Sequence, residues 1–354
     1  IELENLLDDG TIHDGQSTPI RTGGFFQEIE YNDEIVKLYP LDYQKVPIVR
    51  FQIATCLLMF IVFGLNDQTT GSLMPTLMEH YNVSSVQVSN VFLLQICGYT
   101  TASLATDKLH RMLGSRGVML MAAAFCSIFF GVLSLRPSNF YLYLACFLPL
   151  GFSIGILDST GNVFFGNLAI HKNEWMGILH GLYGAAAMIT PPVVSYFVKF
   201  GHWNLFFLLP LTCSTVGLVM VWFAFRYETA NKYCYVCATD KEEGEGEHPS
   251  ISQLIKKPAI LLYAIYLFVY LGAEVSTGSW LFTYLLDIKH GERIPMSYVT
   301  ASYWTGLTVG RLTLGFVTKR MFPNEYRASV FYGGLTLFFY AVFVLVGLIP
   351  GNSL

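Results

Sequence analysis

The sequence predicts an all-α integral membrane protein, built as a six-helix N-terminal half followed by a C-terminal part of three helices. Hydrophobic residues make up 53% of the 354 and charged residues 13%, with a mean hydropathy of +0.48. That is too little charge to solvate a globule of this length. The apolar residues also fall in runs of ~20 or more, the length a helix needs to cross a bilayer. A weak internal repeat supplies the two halves: Asp67 and Thr70-Gly71-Ser72 early in the chain are echoed by Glu274 and Thr277-Gly278-Ser279, Gly98 by Gly306, and Arg111 by Lys319.

Residues 1–47 are polar, acidic and interrupted by Gly and Pro, with no apolar run that could serve as a cleaved signal, and they are expected to form a disordered cytosolic tail. The chain begins with Ile, so residues upstream are expected to be missing. Glu2, Leu6 and Leu7 resemble an acidic dileucine signal, which makes a sorting adaptor an expected partner and a vacuole or lysosome an alternative to the plasma membrane. Nine apolar segments follow, at 48–77, 86–106, 117–135, 140–165, 176–199, 203–225, 258–286, 296–318 and 328–349. The first six form an N-terminal bundle over 48–226. A linker at 227–257, expected to be flexible, contains the run KEEGEGEH, and 258–354 supplies three further helices.

Orientation follows from Lys and Arg. Outside the spans only Arg136, Lys199, Lys289 and Arg293 fall opposite the tail, and all the others except Arg311, which lies within a span, fall on the tail's side. The tail is therefore placed in the cytosol. The sequon Asn82-Val83-Ser84 then lies on the exterior or luminal face.

Asp158, in the apolar stretch GFSIGILDSTGNVFFGN, is the residue most in need of explanation. A charge at the bilayer centre costs ~2.5–3.5 kcal/mol on insertion scales, so an intramembrane acid is expected to face a cavity, a partner or a solute path. Asn162 lies one turn on, while Gly151, Gly155, Gly161 and Gly166 allow close helix approach. Asp67, Asp158 and Glu274 are the candidate proton-coupling acids, because a carboxylate in low dielectric can exchange protons near neutral pH; the alternative is a purely structural hydrogen bond or ion pair. Arg311, if close to one of them, would oppose that exchange. Asn66, Gln95, Asn162, His180, Tyr183 and Trp280 are candidate solute contacts, since amides and imidazole hydrogen-bond hydroxyls and an aromatic ring stacks on a pyranose face. Pro191-Pro192 is expected to mark a kink.

The segment LATDKLHRMLGSRG, with Asp107, Lys108 and Arg111, resembles the D-R-x-G-R-R signature of the major facilitator superfamily, with His110 in place of its glycine and Met112 in place of its last basic residue. Arg311, Gly315, Lys319 and Arg320 resemble its weaker second copy. The stretches GLNDQTTGSLMP, GILDSTGNVFF, LHGLYGAAAMITPP and YLGAEVSTGSWLFTY together resemble the fucose, galactose and gluconate proton symporter branch, including its eukaryotic members.

This resemblance implies the major facilitator fold with twelve spans, so the chain is expected to be truncated. It also implies proton coupling at Asp67 and Asp158, and a conformational latch at Asp107, Lys108 and Arg111 with Arg311. The function expected is proton-coupled symport of a monosaccharide or related small polar solute, with a uniporter, an organic-anion carrier or a non-transporting nutrient sensor as alternatives. No cofactor, metal or nucleic acid is expected. The sequence carries no H-E-x-x-H, G-x-S-x-G or P-loop motif, which disfavours an enzyme or an ATP-driven pump, and Cys234-x-x-Cys237 lacks a second ligand pair for zinc.

Overall fold

The computed structural model describes residues 19–23, 25–242 and 256–348. Glu2, Leu6, Leu7 and most of the acidic run after Lys241 lie outside the described residues. The expectation of a disordered tail is corrected from residue 19 onward. Strands β1 (Pro19–Gly23), β2 (Phe26–Tyr31) and β3 (Glu34–Leu38) form an antiparallel sheet in chain order. Ile29 pairs with Val36 and Tyr31 with Glu34, and the turn between them puts Asn32 and Asp33 in the left-handed region at φ 50° and 59°. Asn and Asp tolerate that conformation, and two such residues match the right-handed twist of the strands they join. Glu28 and Lys37 pair across the strands at 3.0 Å.

Ten helices follow among the described residues. Helix α1 (Pro47–Tyr81) starts with Pro at its first position and stops at Asn82 in the left-handed region; Ser84 then caps α2 (Ser85–Ser134) through a reciprocal capping box with Gln87. The sequon is thus the whole connection between the two helices. At 1.5 Å per residue α2 would be ~75 Å long if straight, far more than a bilayer. It breaks at Gly114 (φ 68°, ψ 169°), and the two expected spans are the pieces on either side. Then come α3 (Phe140–Ala145), α4 (Phe147–Gly166), α5 (Lys172–Lys199, with Pro191-Pro192 inside it), a 3₁₀ turn (Trp203–Phe207), α6 (Leu208–Ala224), α7 (Ala230–Glu242), α8 (Pro258–Asp287), α9 (Arg293–Met321) and α10 (Glu325–Leu348).

Seven helices among the described residues are long and apolar enough to cross a membrane, α2 counted as one; α9 falls short because Ser, Thr and Tyr interrupt its apolar positions. The linker is a second correction. Over Ala230–Glu242 it is helix α7, which packs on α2 and β3, because Tyr235 and Val236 cover the cluster of Ile29, Val36 and Leu38.

In the N-terminal half α2 packs against α4 and α6, and α1 against α5 and α6. Gly151 and Gly155 lie directly against the α2 backbone at Gln95 and Tyr99. The second half reaches the first through α9 on α5 and α8 on α1. These contacts are one-sided. Residues 258–273 of α8, on the side of the hairpin, are exposed apart from half-buried Leu267, whereas Glu274, Gly278, Ser279, Phe282, Thr283 and Leu285 towards the far side are buried. Gly71 of α1 meets the Ser279 backbone at this far-side seam.

Candidate functional site

The polar residues inside the bundle form two connected groups, and α5 belongs to both. In the first, Asp158 on α4 accepts a short hydrogen bond from Tyr99 Oη of α2 and another from Asn162 Nδ2 at 2.9 Å. The bond from Asn162 follows from i,i+4 spacing on one helix face. Since Asn162 donates through Nδ2, its Oδ1 accepts, and His180 Nε2 of α5 donates to it at 3.1 Å. The His180 ring stands edge-on to Phe60 of α1, with centroids 5.8 Å apart.

The second group spans the halves. Tyr183, one turn along α5 from His180, donates through Oη to Asp67 Oδ2 of α1 at 2.7 Å. Its ring packs on Phe63 and Trp304, and the Arg311 guanidinium of α9 lies 5.6 Å from its centroid. Arg311 pairs with Glu274 of α8 at 2.7 Å; the two side chains are 26% and 6% exposed. One guanidinium and one carboxylate so placed cancel each other's charge within the membrane, the usual condition for burying either. Beside them, Trp304 Nε1 donates to Gln68 Oε1 at 2.8 Å, a fully buried bond between α9 and α1. Tyr303 Oη donates to the Glu274 backbone carbonyl at 3.2 Å.

The structure therefore brings Asp158, Asn162 and His180 together, and separately Asp67, Tyr183, Glu274 and Arg311. Neither Asp67 nor Asp158 has a cation at salt-bridge distance among the described residues. Asn66 is buried with both ends of its amide unpaired among the described residues, as are Gln68 Nε2, Thr70 Oγ1, Glu274 Oε2 and Thr308 Oγ1. Buried polar groups are almost always paired, so unpaired ones in the middle of a bundle mark positions for solvent, solute or an alternative partner. Gln95 lies one turn before Tyr99 on α2, half-buried, with no side-chain hydrogen bond among the described residues. Trp280 is 38% exposed and without a ring or hydrogen-bond partner among the described residues; six residues after Glu274, it projects about 120° from that acid's face of α8.

Arg311 is not with Asp107, Lys108 and Arg111, which lie on the hairpin side of α2 just before its break at Gly114. There Arg111 Nε pairs with Asp107 at 2.9 Å, Tyr233 Oη of α7 donates to the other Asp107 oxygen at 3.1 Å, and Lys108 is exposed. Beside this corner, Glu228 sits between Lys232 Nζ at 2.7 Å and Tyr39 Oη, and Gln52 Nε2 of α1 donates to Tyr39 at 2.9 Å. Burial pushes the Glu228 carboxyl up, but the Lys232 charge and the donated hydrogen bonds outweigh it and hold it below the usual range. Burial, reinforced by Glu228, pushes the Tyr39 hydroxyl well up.

Sequence reasoning did not single out Tyr99, Gln68, Trp304 or Tyr233. Tyr99 carried a readable sign: it lies on the same α2 face as Gln95, opposite the small residues of α4.

The Major Facilitator Superfamily model matches residues 56–353. The chain belongs to the major facilitator superfamily. It is 53% identical over 372 residues to "Bypass of stop codon protein 6" of Saccharomyces cerevisiae, covering all of this chain and 75% of that one. It is 22% identical over 272 residues to the glucose/mannose transporter of Bacillus subtilis, covering 75% of this chain and 66% of that one, and 21% identical over 291 residues to the hexuronate transporter of the same organism, covering 81% and 68%. The chain thus spans about two thirds to three quarters of these relatives' lengths. Crystal structures of the peptide transporter POT in complex with sulfate superpose with TM-scores of 0.55 and 0.52 at 12% and 11% identity, over 76% of this chain and 68% of theirs. At that identity the likeness shows the fold, a helical major facilitator fold.

Proposed function

We propose that this chain works by alternating access as a proton-coupled symporter of a monosaccharide or a related small polar solute. The observation that carries the reading is Asp158, an acid within the bundle whose hydrogen-bond partners are Tyr99 and Asn162 rather than a cation. An ionised carboxylate only accepts hydrogen bonds, whereas a protonated one also donates. Loading a proton on Asp158 removes its charge, weakens the bonds it accepts and adds an O–H donor, so that Tyr99, Asn162 and, through Asn162, His180 can turn to solute hydroxyls. Asp67 works alike through Tyr183. Glu274, neutralised by Arg311, is assigned to holding the second half rather than to carrying a proton. The names of the bacterial relatives, transporters of glucose or mannose and of hexuronate, support the sugar class.

The one-sided contact between the halves is read as one of the two access states, closed at the far side and open towards the hairpin. The asymmetry of Lys and Arg supports a cytosolic hairpin side, in the plasma membrane or a vacuolar or lysosomal membrane.

The test uses the full-length protein in liposomes loaded with a pH-sensitive dye and challenged with hexoses and hexuronates. Solute-dependent proton entry in the parent, abolished in Asp158→Asn, is the expected result. Solute equilibration without proton movement in the parent would overturn coupling in favour of uniport, and binding without movement would favour a sensor. Unchanged proton flux in Asp158→Asn would remove Asp158 from the mechanism.

A further inference from the structure

A cavity of about 310 Å³, lined by none of the hydrogen-bonded residues of the two polar groups, lies where the hairpin, α2 around its Gly114 break, the C-terminal part of α4 and α7 meet. Its size is at the lower end of small-molecule pockets, ~300–1,000 Å³. The walls come from segments far apart in the chain, so any occupant touches all of them at once. Among the described residues, Glu228 and Lys232 are the formally charged ones lining it, and they pair at 2.7 Å, with Lys232 Nζ also 3.9 Å from the Tyr39 ring centroid. The walls therefore offer no net charge to attract an anion or a cation.

His110, 5% exposed, reads as a neutral imidazole: Nδ1 donates to the Thr106 carbonyl at 2.8 Å, which leaves Nε2 as an acceptor facing Thr160 Oγ1 at 3.4 Å. The rest of the lining is mostly apolar, with aliphatic side chains such as Leu38 and Val163 and the rings of Phe164 and Tyr235 around a few hydroxyls such as Ser159. Ser159 Oγ is buried with no hydrogen-bond partner among the described residues. The unpaired Ser159 hydroxyl and the His110 acceptor, set among flat apolar faces with cancelled charge, suit a ligand that is itself neutral, hydroxylated and ring-shaped.

We propose that this cavity is a second binding site, for a neutral polyhydroxylated ring of about hexose size, and that it regulates rather than carries its ligand. Its wall residue Tyr233 holds Asp107, the partner of Arg111, so an occupant braces that corner of α2 while joining the hairpin and α7 to α4. The inference rests on the cavity's own chemistry and stands or falls separately from the solute site inside the bundle.

The experiment is equilibrium dialysis of the purified full-length protein against radiolabelled D-glucose. Thr239→Trp fills the cavity from α7 and Asn167→Trp from the end of α4. Thr239→Val is the control, since among the described residues the Thr239 hydroxyl bonds to the Tyr235 carbonyl of its own helix alone. The expected result is a binding component weakened at least tenfold in both Trp variants at unchanged melting temperature, and retained in Thr239→Val and in His180→Ala. Binding in both Trp variants equal to that of the parent, or no component that survives His180→Ala, would overturn the proposal. A component lost only in His180→Ala reports on the bundle site alone.

Discussion

Replacing Gly71 with Ala should loosen the far-side seam without harming the fold. A Cβ at Gly71 would stand 2.5 Å from the Ser279 carbonyl oxygen, 2.9 Å from its Cα and 3.0 Å from its carbonyl carbon. All three are backbone atoms that cannot rotate away, so α1 and α8 must part by roughly 1 Å to restore ordinary contact. Within α1 itself the change is favourable, since Ala is a better helix former than Gly by ~1 kcal/mol. The cost, ~1–3 kcal/mol by analogy with overpacked cores, falls on the contact between halves. At 1.4 kcal/mol per tenfold, the far-side-closed state loses ~5- to ~150-fold in population relative to its alternative. The assay is labelling of Thr283→Cys by a membrane-impermeant maleimide added from the far side, read above the background of the native cysteines. Thr283 is buried one turn beyond Ser279. Faster labelling in the Gly71→Ala background is expected. Equal labelling in both backgrounds would refute the argument that this seam controls access.

Trp304→Phe removes the one hydrogen bond Gln68 makes with its side chain across the halves and leaves a buried amide unpaired at both ends, at a cost of ~1–3 kcal/mol, so it should raise Thr283→Cys labelling in the same direction. Lys232→Met strands Glu228 among buried groups and should cost about 3 kcal/mol, seen as a lower denaturation midpoint and faster proteolysis near the hairpin. Because the folded-state Glu228 pKa lies below its unfolded value, its contribution is complete above the unfolded pKa of ~4.3 and is lost as pH falls through the folded value; hairpin protection from protease should therefore weaken only below about pH 4.3 in the parent. Asn32→Val with Asp33→Val forces two branched residues into the left-handed region at ~1–2 kcal/mol each, and should release the hairpin to protease without changing the melting of the bundle.

The long apolar helices and the acids placed within them were legible from apolar runs, because bilayer thickness and the cost of a buried charge act on local sequence. The hairpin was legible too and was missed: Ile29 and Tyr31 before Asn32-Asp33, and Val36 and Leu38 after it, alternate as strands do, but acidic composition masked the period. Helix α7 could not be read alone, since its apolar side covers a sheet that composition had assigned to a disordered tail. The partner of Arg311 depends on the rotational setting of α8 against α9, which a single helix does not encode. Trp304 and Trp280 illustrate the same gap. The motif around Glu274 drew attention to Trp280, yet the turn count puts it off the packed face of α8, while Trp304 on α9 is fully buried.

His180 and Tyr183 sit three residues apart on α5, about 60° apart around its axis and ~4.5 Å along it, and each holds a different acid's hydrogen-bonding chain. Such a helix acts as a cam. With side-chain tips ~5–6 Å from the axis, a roll of about 20° sweeps both by ~2 Å, enough to break a hydrogen bond of ordinary length. The two acids would then gain or lose their partners in a single movement, so a solute that turns α5 would be felt by both carboxylates at once, and proton uptake would show one shared transition in place of two independent ones.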